Sequence, residues 1–238
     1  MFDVLYQDEQ LIAINKPEKW LVHRSAIDKY ETRFVVQALR DQIGQFVFPV
    51  HRLDKPTSGV LLFALTSDIA TQVSNAFAQH TIDKRYLLLS RGWVEASGYI
   101  DHALVPKSDF KTAKKKPAKP AQDAQTYFKC LAQYELPFEV DRYPQSRYSL
   151  VEAKPITGRK HQLRRHFKHL AHPLIGDPKY GKTSHNRFFK DQFESDRLLL
   201  HCSSMALRHP VKKDVVRIKA PMPASFSDLL AKLAPFEV

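Results

Sequence analysis

The sequence predicts an α+β fold, a mixed sheet flanked by helices. Three observations predict it. Short apolar or alternating runs of strand length recur along most of the 238 residues. Helical spacing appears in separated segments between them. No linker divides the two kinds of segment into separate blocks, so one domain over residues 1–238 is the economical expectation.

The elements follow in order. Val4-Leu5-Tyr6 and Leu11-Ile12-Ala13-Ile14 flank the polar Gln7-Asp8-Glu9-Gln10, a hairpin signal, and Asn15-Lys16-Pro17 ends the second run. Phe34, Val35, Ala38, Leu39 and Ile43 repeat at helical spacing and predict a helix over 33–43, with Gly44 just past its end. The apolar run Val60-Leu61-Leu62-Phe63-Ala64-Leu65 predicts a buried strand. Ser67 stands where an N-cap is needed, and Ile69, Val73 and Phe77 share one face of the helix after it. Strands are expected over 85–91, 99–105, 126–134 and 148–153. A basic helix follows over 160–170, then strands over 198–207 and 215–219, and a closing helix over 225–233. No repeat at a fixed period occurs. The stretch 107–120 differs in composition, with six lysines and no large aliphatic residue. It reads as a surface insertion, either solubilising or able to contact phosphates.

Composition narrows the function. An apolar fraction of 43% supports a core, while 37 Lys and Arg against 25 Asp and Glu leave a formal charge of +12. Such an excess points to a polyanionic partner. The longest unbroken apolar run, 60–65, is far too short to cross a membrane, so no membrane association is expected. The start, Met1-Phe2-Asp3-Val4, lacks a signal peptide's basic and apolar regions. Two distant cysteines, Cys130 and Cys202, with no CxxC, fit a reducing cytoplasm.

Two segments concentrate the chemistry. In His51-Arg52-Leu53-Asp54-Lys55-Pro56-Thr57-Ser58-Gly59 a carboxylate sits between cations at the edge of a buried strand, which keeps it ionised and positioned, as a nucleophile or base requires. Taken alone it reads first as a solvated turn Asp beside a proline. In Thr157-Gly158-Arg159-Lys160-His161-Gln162-Leu163-Arg164-Arg165-His166-Phe167-Lys168-His169 the residues Leu163, Phe167 and Leu170 are spaced to face the core. Gln162, Arg165, His166 and His169 are expected on other sides. Arg164 lies next to the apolar stripe and should be partly buried. Such an arginine needs an anion, preferably a carboxylate held by both arms, and Asp54 is the candidate. A generic basic face remains the alternative for this helix. Eleven histidines occur, three of them at 166, 169 and 172, yet there is no cysteine cluster and no HExxH, so no metal is expected. GxSxG, Walker A and GxGxxG sequences are absent as well.

Together these segments resemble the pseudouridine synthases, in the branch typified by ribosomal large-subunit synthase A. Asp8 to Pro17 with Val22-His23 is similar to that branch's first motif. His51-Arg52-Leu53-Asp54 with Thr57-Ser58-Gly59 looks like its catalytic signature. Lys84-Arg85-Tyr86 matches the strand bearing its active-site tyrosine, and Gly158 to Arg164 with His172-Pro173 and Gly176-Asp177 matches its third motif. The resemblance spans almost the whole chain in order. Trp20 to Ser25, Arg147 to Glu152 and Leu163 to His166 narrow it to a tRNA-directed group that modifies uridine 65 in the T stem.

The resemblance implies a pseudouridine synthase fold, a mixed, mostly antiparallel bent sheet flanked by helices, without an S4-like N-terminal domain. It implies Asp54 as the reacting carboxylate, Arg164 paired with it, and Tyr86 stacked on the uracil and assisting the final C5 deprotonation. Without the resemblance Tyr86 would read equally as a core tyrosine. Leu163 would line the pocket. Arg52 would fill the space left by a flipped base, or contact phosphate, and Lys55, Arg159, Lys160 and Arg165 would bind phosphates. No redox or group-transfer step occurs, so no organic cofactor is needed, and the enzyme is expected to act as a monomer on tRNA. The same chemistry on a ribosomal RNA stem-loop, or a silent RNA-binding protein of this fold, are the alternatives.

Overall fold

The computed structural model describes residues 1–23, 32–106 and 119–238. The insertion up to residue 118, and Arg24 and Ser25, lie outside the described residues. Among the described residues one ten-stranded sheet is the backbone of the fold, with order β1-β2-β4-β9-β5-β8-β7-β6. Its path runs through β1 (Val4–Gln7), β2 (Leu11–Lys16), β4 (Ser58–Ala64), β9 (Leu200–Arg208), β5 (Asp83–Arg91), β8 (Ser146–Pro155), β7 (Gln125–Leu136) and β6 (Ser97–Asp101). The short β3 (Phe48–Pro49) pairs with β4, and β10 (Val215–Lys219) pairs with β9. β4 is buried at every residue and β2 at all but one, which is why both read as unbroken apolar runs.

β9 joins the two halves of the sheet. Its start runs parallel to β4 at Ser58↔His201 and Gly59↔Cys202, the one parallel pairing between the named strands. Its other edge pairs antiparallel with β5, and beyond Cys202 it pairs with β10. The strands approach so closely at this junction that a Cβ on Gly59 would lie 2.2 Å from the Cys202 carbonyl oxygen, and Gly59 has φ +112°. Only glycine meets both conditions.

Among the described residues five α-helices flank the sheet: α1 (Val35–Ile43), α2 (Ser67–Ala78), α3 (Gln162–His169), α4 (Thr183–Phe193) and α5 (Ala224–Leu233). α1 starts two residues later than its periodicity suggests, because Phe34 is extended and bridges Leu21. Gly44 takes the left-handed conformation that ends it. The cap of α2 is Thr66, whose hydroxyl accepts from the Ile69 N–H, and Ser67 is the first helical residue. The strand expected over 99–105 ends at Asp101, and Leu104 makes only an isolated bridge to Gln122. α4 was not expected from sequence. It has no side-chain cap and opens with residues of modest helix propensity, so burial of Phe189 against Tyr148 and its aromatic neighbours holds it helical.

Candidate active site

The Asp54 turn sits where β4 meets β9. The Thr57 N–H donates to the Asp54 carbonyl at 3.0 Å, closing the turn. Beneath it Lys16 is completely buried. Its ammonium donates to the carbonyls of Pro17 (2.9 Å), Lys55 (3.2 Å) and Thr57 (2.8 Å), which uses all three of its protons. Burial pulls the Lys16 pKa down to about 7, with the Asp54 charge opposing the fall. At the other end of the turn, His51 Nε2 accepts from the Leu62 N–H at 2.9 Å, and its ring stacks on Phe77. Burial, with Lys84 nearby, holds His51 at about 3, so it stays neutral and keeps its acceptor nitrogen. Two fastenings thus fix the backbone that presents Asp54.

Arg164 approaches from α3 and is 4% exposed, more deeply buried than partly. Its Nη1 donates to Asp54 Oδ2 at 3.1 Å, as the sequence suggested. The two-armed partner is instead Asp177: Nε donates to Oδ2 and Nη2 to Oδ1, both at 2.7 Å. Asp177 also accepts from the backbone N–H groups of Lys179 and Tyr180. Burial opposes charge on both partners, but their mutual attraction and these bonds prevail. The Asp177 pKa is lowered and that of Arg164 raised. A guanidinium fixed by Asp177 leaves one arm for Asp54, whose side chain is 18% exposed and open to the cavity.

Gln162 and His166 do not face outward as expected; both are buried. Gln162 accepts from the Thr157 hydroxyl and the Arg159 N–H and donates to Thr126 Oγ1 and the Gln125 carbonyl. His166 bonds Thr126 Oγ1 and the His102 carbonyl. The polar groups of β7 make these positions interior, and so α3 is fastened to the sheet at the height that delivers Arg164. The other two members of the histidine triplet go elsewhere. His169 stacks on His102, and His172 bonds the Arg91 carbonyl. Among the described residues, no group of three or more His, Cys, Asp or Glu is placed to hold a metal ion.

A cavity of about 490 Å³ opens over Asp54. Arg52, Tyr86, Arg159, Leu163 and Arg164 line it with Asp54, whereas Lys55, Lys160 and Arg165 lie outside its lining. Arg52 is exposed, and Arg159 is steadied by an Nε–H bond to the Asp123 carbonyl. Tyr86 is half-buried. Burial, then Cys202 and Asp54, hold its phenol well above the ordinary value, so it presents a neutral ring. His161 stands at the head of α3 with φ +55°, its Nδ1 3.0 Å from the Tyr180 hydroxyl and its Nε2 3.8 Å from Asp54 Oδ1. Burial and the cations around it pull His161 down to about 4 against the Asp54 charge.

Sequence reasoning assigned no role to Lys16, Lys84, His161 or Asp177. The Gly-Asp pair at 176–177 was the only signal for Asp177. Gly176 has φ +74°, and a Cβ there would lie 1.7 Å from the Arg197 carbonyl oxygen. The resulting array is a carboxylate–guanidinium pair at the floor of a cavity of about 490 Å³ with an aromatic ring on its wall. It suits cleavage at an electron-deficient sugar carbon.

A family profile for RNA pseudouridylate synthase matches residues 10–169. The tRNA pseudouridine synthase C of Vibrio parahaemolyticus is 49% identical over 97% of this chain and 94% of the relative. That of Vibrio vulnificus is 51% identical over 92% of this chain and 90% of the relative. The solved structure of human RNA pseudouridylate synthase domain containing 4 superposes with a TM-score of 0.72 at 26% identity, covering 98% of this chain and 93% of that one. Matched by that profile over residues 10–169 and 49% identical to a relative over 97% of its length, the chain belongs to the RNA pseudouridylate synthase family.

Proposed function

We propose that this pseudouridine synthase acts on tRNA, at uridine 65 of the T stem, as a cytoplasmic monomer formed of one domain and needing neither metal nor organic cofactor. The observation that carries the reading is the Asp54–Arg164–Asp177 array under the cavity. The relatives of comparable length act, by their names, on tRNA, and this supports the choice of RNA. Among the described residues, no helix is long and apolar enough to cross a membrane.

The reaction detaches uracil from C1′, turns it and rejoins it through C5. Asp54 meets the charge that develops, by attack at C1′, by attack at C6 of the base, or by taking a sugar proton. Arg164 orients it. Tyr86 stacks against the uracil and assists loss of the C5 proton, while Leu163 closes the pocket on the apolar side. A stacked uridine must leave its helix at a cost of a few kcal/mol. Arg52, exposed at the rim, braces the RNA there, with Lys55, Arg159, Lys160 and Arg165 on the phosphates.

Tritium release from tRNA carrying 5-tritiated uridine tests the activity, and mapping position 65 in tRNA from a strain lacking the chain tests the site. Release is expected from the wild type and not from Asp54→Asn. Release that survives in Asp54→Asn overturns the role of Asp54. A pseudouridine lost from ribosomal RNA with tRNA intact overturns the substrate.

A further inference from the structure

Lys84 lines the same cavity and has no role in the reading above. It lies two residues from Tyr86 on one face of β5, so the two side chains point the same way. It is only 6% exposed. Its ammonium stands 5.9 Å from the centre of the Phe77 ring, close to His51 and Cys202. Among the described residues no hydrogen bond or ion pair reaches it. The adjacent Asp83 bonds Arg85 and Lys154 instead.

The other buried cations of the site are committed. Arg164 faces two carboxylates, and Lys16 binds three carbonyls. Burying an unpartnered ammonium is costly, and burial already holds its pKa below the ordinary lysine value. A methionine would fill the same space without that cost. The charge is retained for something that enters the cavity.

We infer that the Lys84 ammonium binds a carbonyl oxygen of the target uracil and stabilises the negative charge the base gains during the reaction. When the C1′–N1 bond breaks, its electron pair leaves with the base and spreads over N1, O2 and O4. Electron-deficient C1′ meets the Asp54 carboxylate or is relieved by loss of a sugar proton. Attack of Asp54 at C6 instead pushes electrons onto O4. Each route puts negative charge on a carbonyl oxygen, and a positioned cation in a largely buried site is effective there.

The inference rests on the pseudouridine synthase chemistry, not on which RNA supplies the uridine. Single-turnover assays therefore use whichever RNA, tRNA or ribosomal fragment, the wild type converts. Conversion of the ribosomal fragment alone overturns the tRNA reading and leaves this one standing. Lys84→Met is expected to slow conversion about 10²- to 10³-fold, the loss typical of one such donor, with RNA affinity within about threefold of wild type. It should melt no lower than wild type, which a merely structural lysine would not allow. The decisive arm places 2-thiouridine or 4-thiouridine at the target, since sulfur accepts hydrogen bonds weakly. One of the two should slow the wild type and leave Lys84→Met unchanged. Equal thio effects in both proteins, conversion by Lys84→Met within about threefold of wild type, or a lowered melting temperature would each overturn the assignment.

Discussion

Asp177→Asn removes the charge that faces Arg164 from within the protein while keeping the size of the side chain. The Asp177 side chain is fully buried and accepts four bonds, two from Arg164 at 2.7 Å and two from backbone N–H groups. An asparagine has one acceptor oxygen, so a guanidinium arm would confront an amide donor. Breaking a buried ion pair from one side costs about 3–5 kcal/mol, because the other charge stays buried. In a chain of this size each kcal/mol lowers the melting temperature by about 2–4 °C, so a fall of about 10 °C is expected. Asp54→Asn is the control. It is 18% exposed and takes one bond at 3.1 Å, and Arg164 keeps its two-armed partner, so the change should stay within about 1 kcal/mol. Thermal unfolding followed by circular dichroism at pH 7 compares the two. The depressed pKa of Asp177 fixes the pH dependence. Its contribution is present above the unfolded carboxylate value, about 3.9, and is lost as pH falls through the lower folded value. The gap between wild type and Asp177→Asn should therefore close in strong acid. If Asp177→Asn melts within about 3 °C of the wild type, or together with Asp54→Asn, the buried pair is not what holds Arg164.

Two further outcomes follow from the packing. Gly59→Ala should cost at least about 2 kcal/mol, since it adds a strained positive φ to an overlap with the Cys202 backbone, and a variant that melts with the wild type would contradict the close approach of β4 and β9. His166 and His201 are fully buried and held at about 4, so between there and their ordinary 6.5 the unfolded chain binds more protons than the native one. These two residues alone should lower stability by about 4 kcal/mol from pH 7.5 to pH 5, and a urea midpoint unchanged across that range would refute the assignment.

Much of this architecture is legible one segment at a time. The hairpin at the start, the apolar β4, the strand over 215–219 and the closing helix all follow from local periodicity, because burial on a sheet or helix face imposes its own spacing on the chain. α4 escapes this reading, since the aromatic cluster of Phe188, Phe189 and Phe193 is completed by Tyr148 of β8, which lies far away in sequence. The turn residues around Asp54 and the apolar stripe of α3 likewise point to a carboxylate and an arginine in need of each other.

The sequence by itself determined the α+β pattern and pointed to the carboxylate at 54 and the arginine at 164 from neighbours within a turn or a helix, while the tyrosine at 86 stood out only through the resemblance. Only the tertiary structure decided that Asp177 takes the two arms of Arg164, that Lys16 holds the Asp54 turn from 39 and 41 residues away, and that Gln162 and His166 face inward. It also decided that Lys84 lines the cavity with no hydrogen bond or ion pair among the described residues. The reason is physical. A polar group's partner is chosen by the register of strands and the height of a helix over them, and those are properties of the assembled sheet that no local spacing contains.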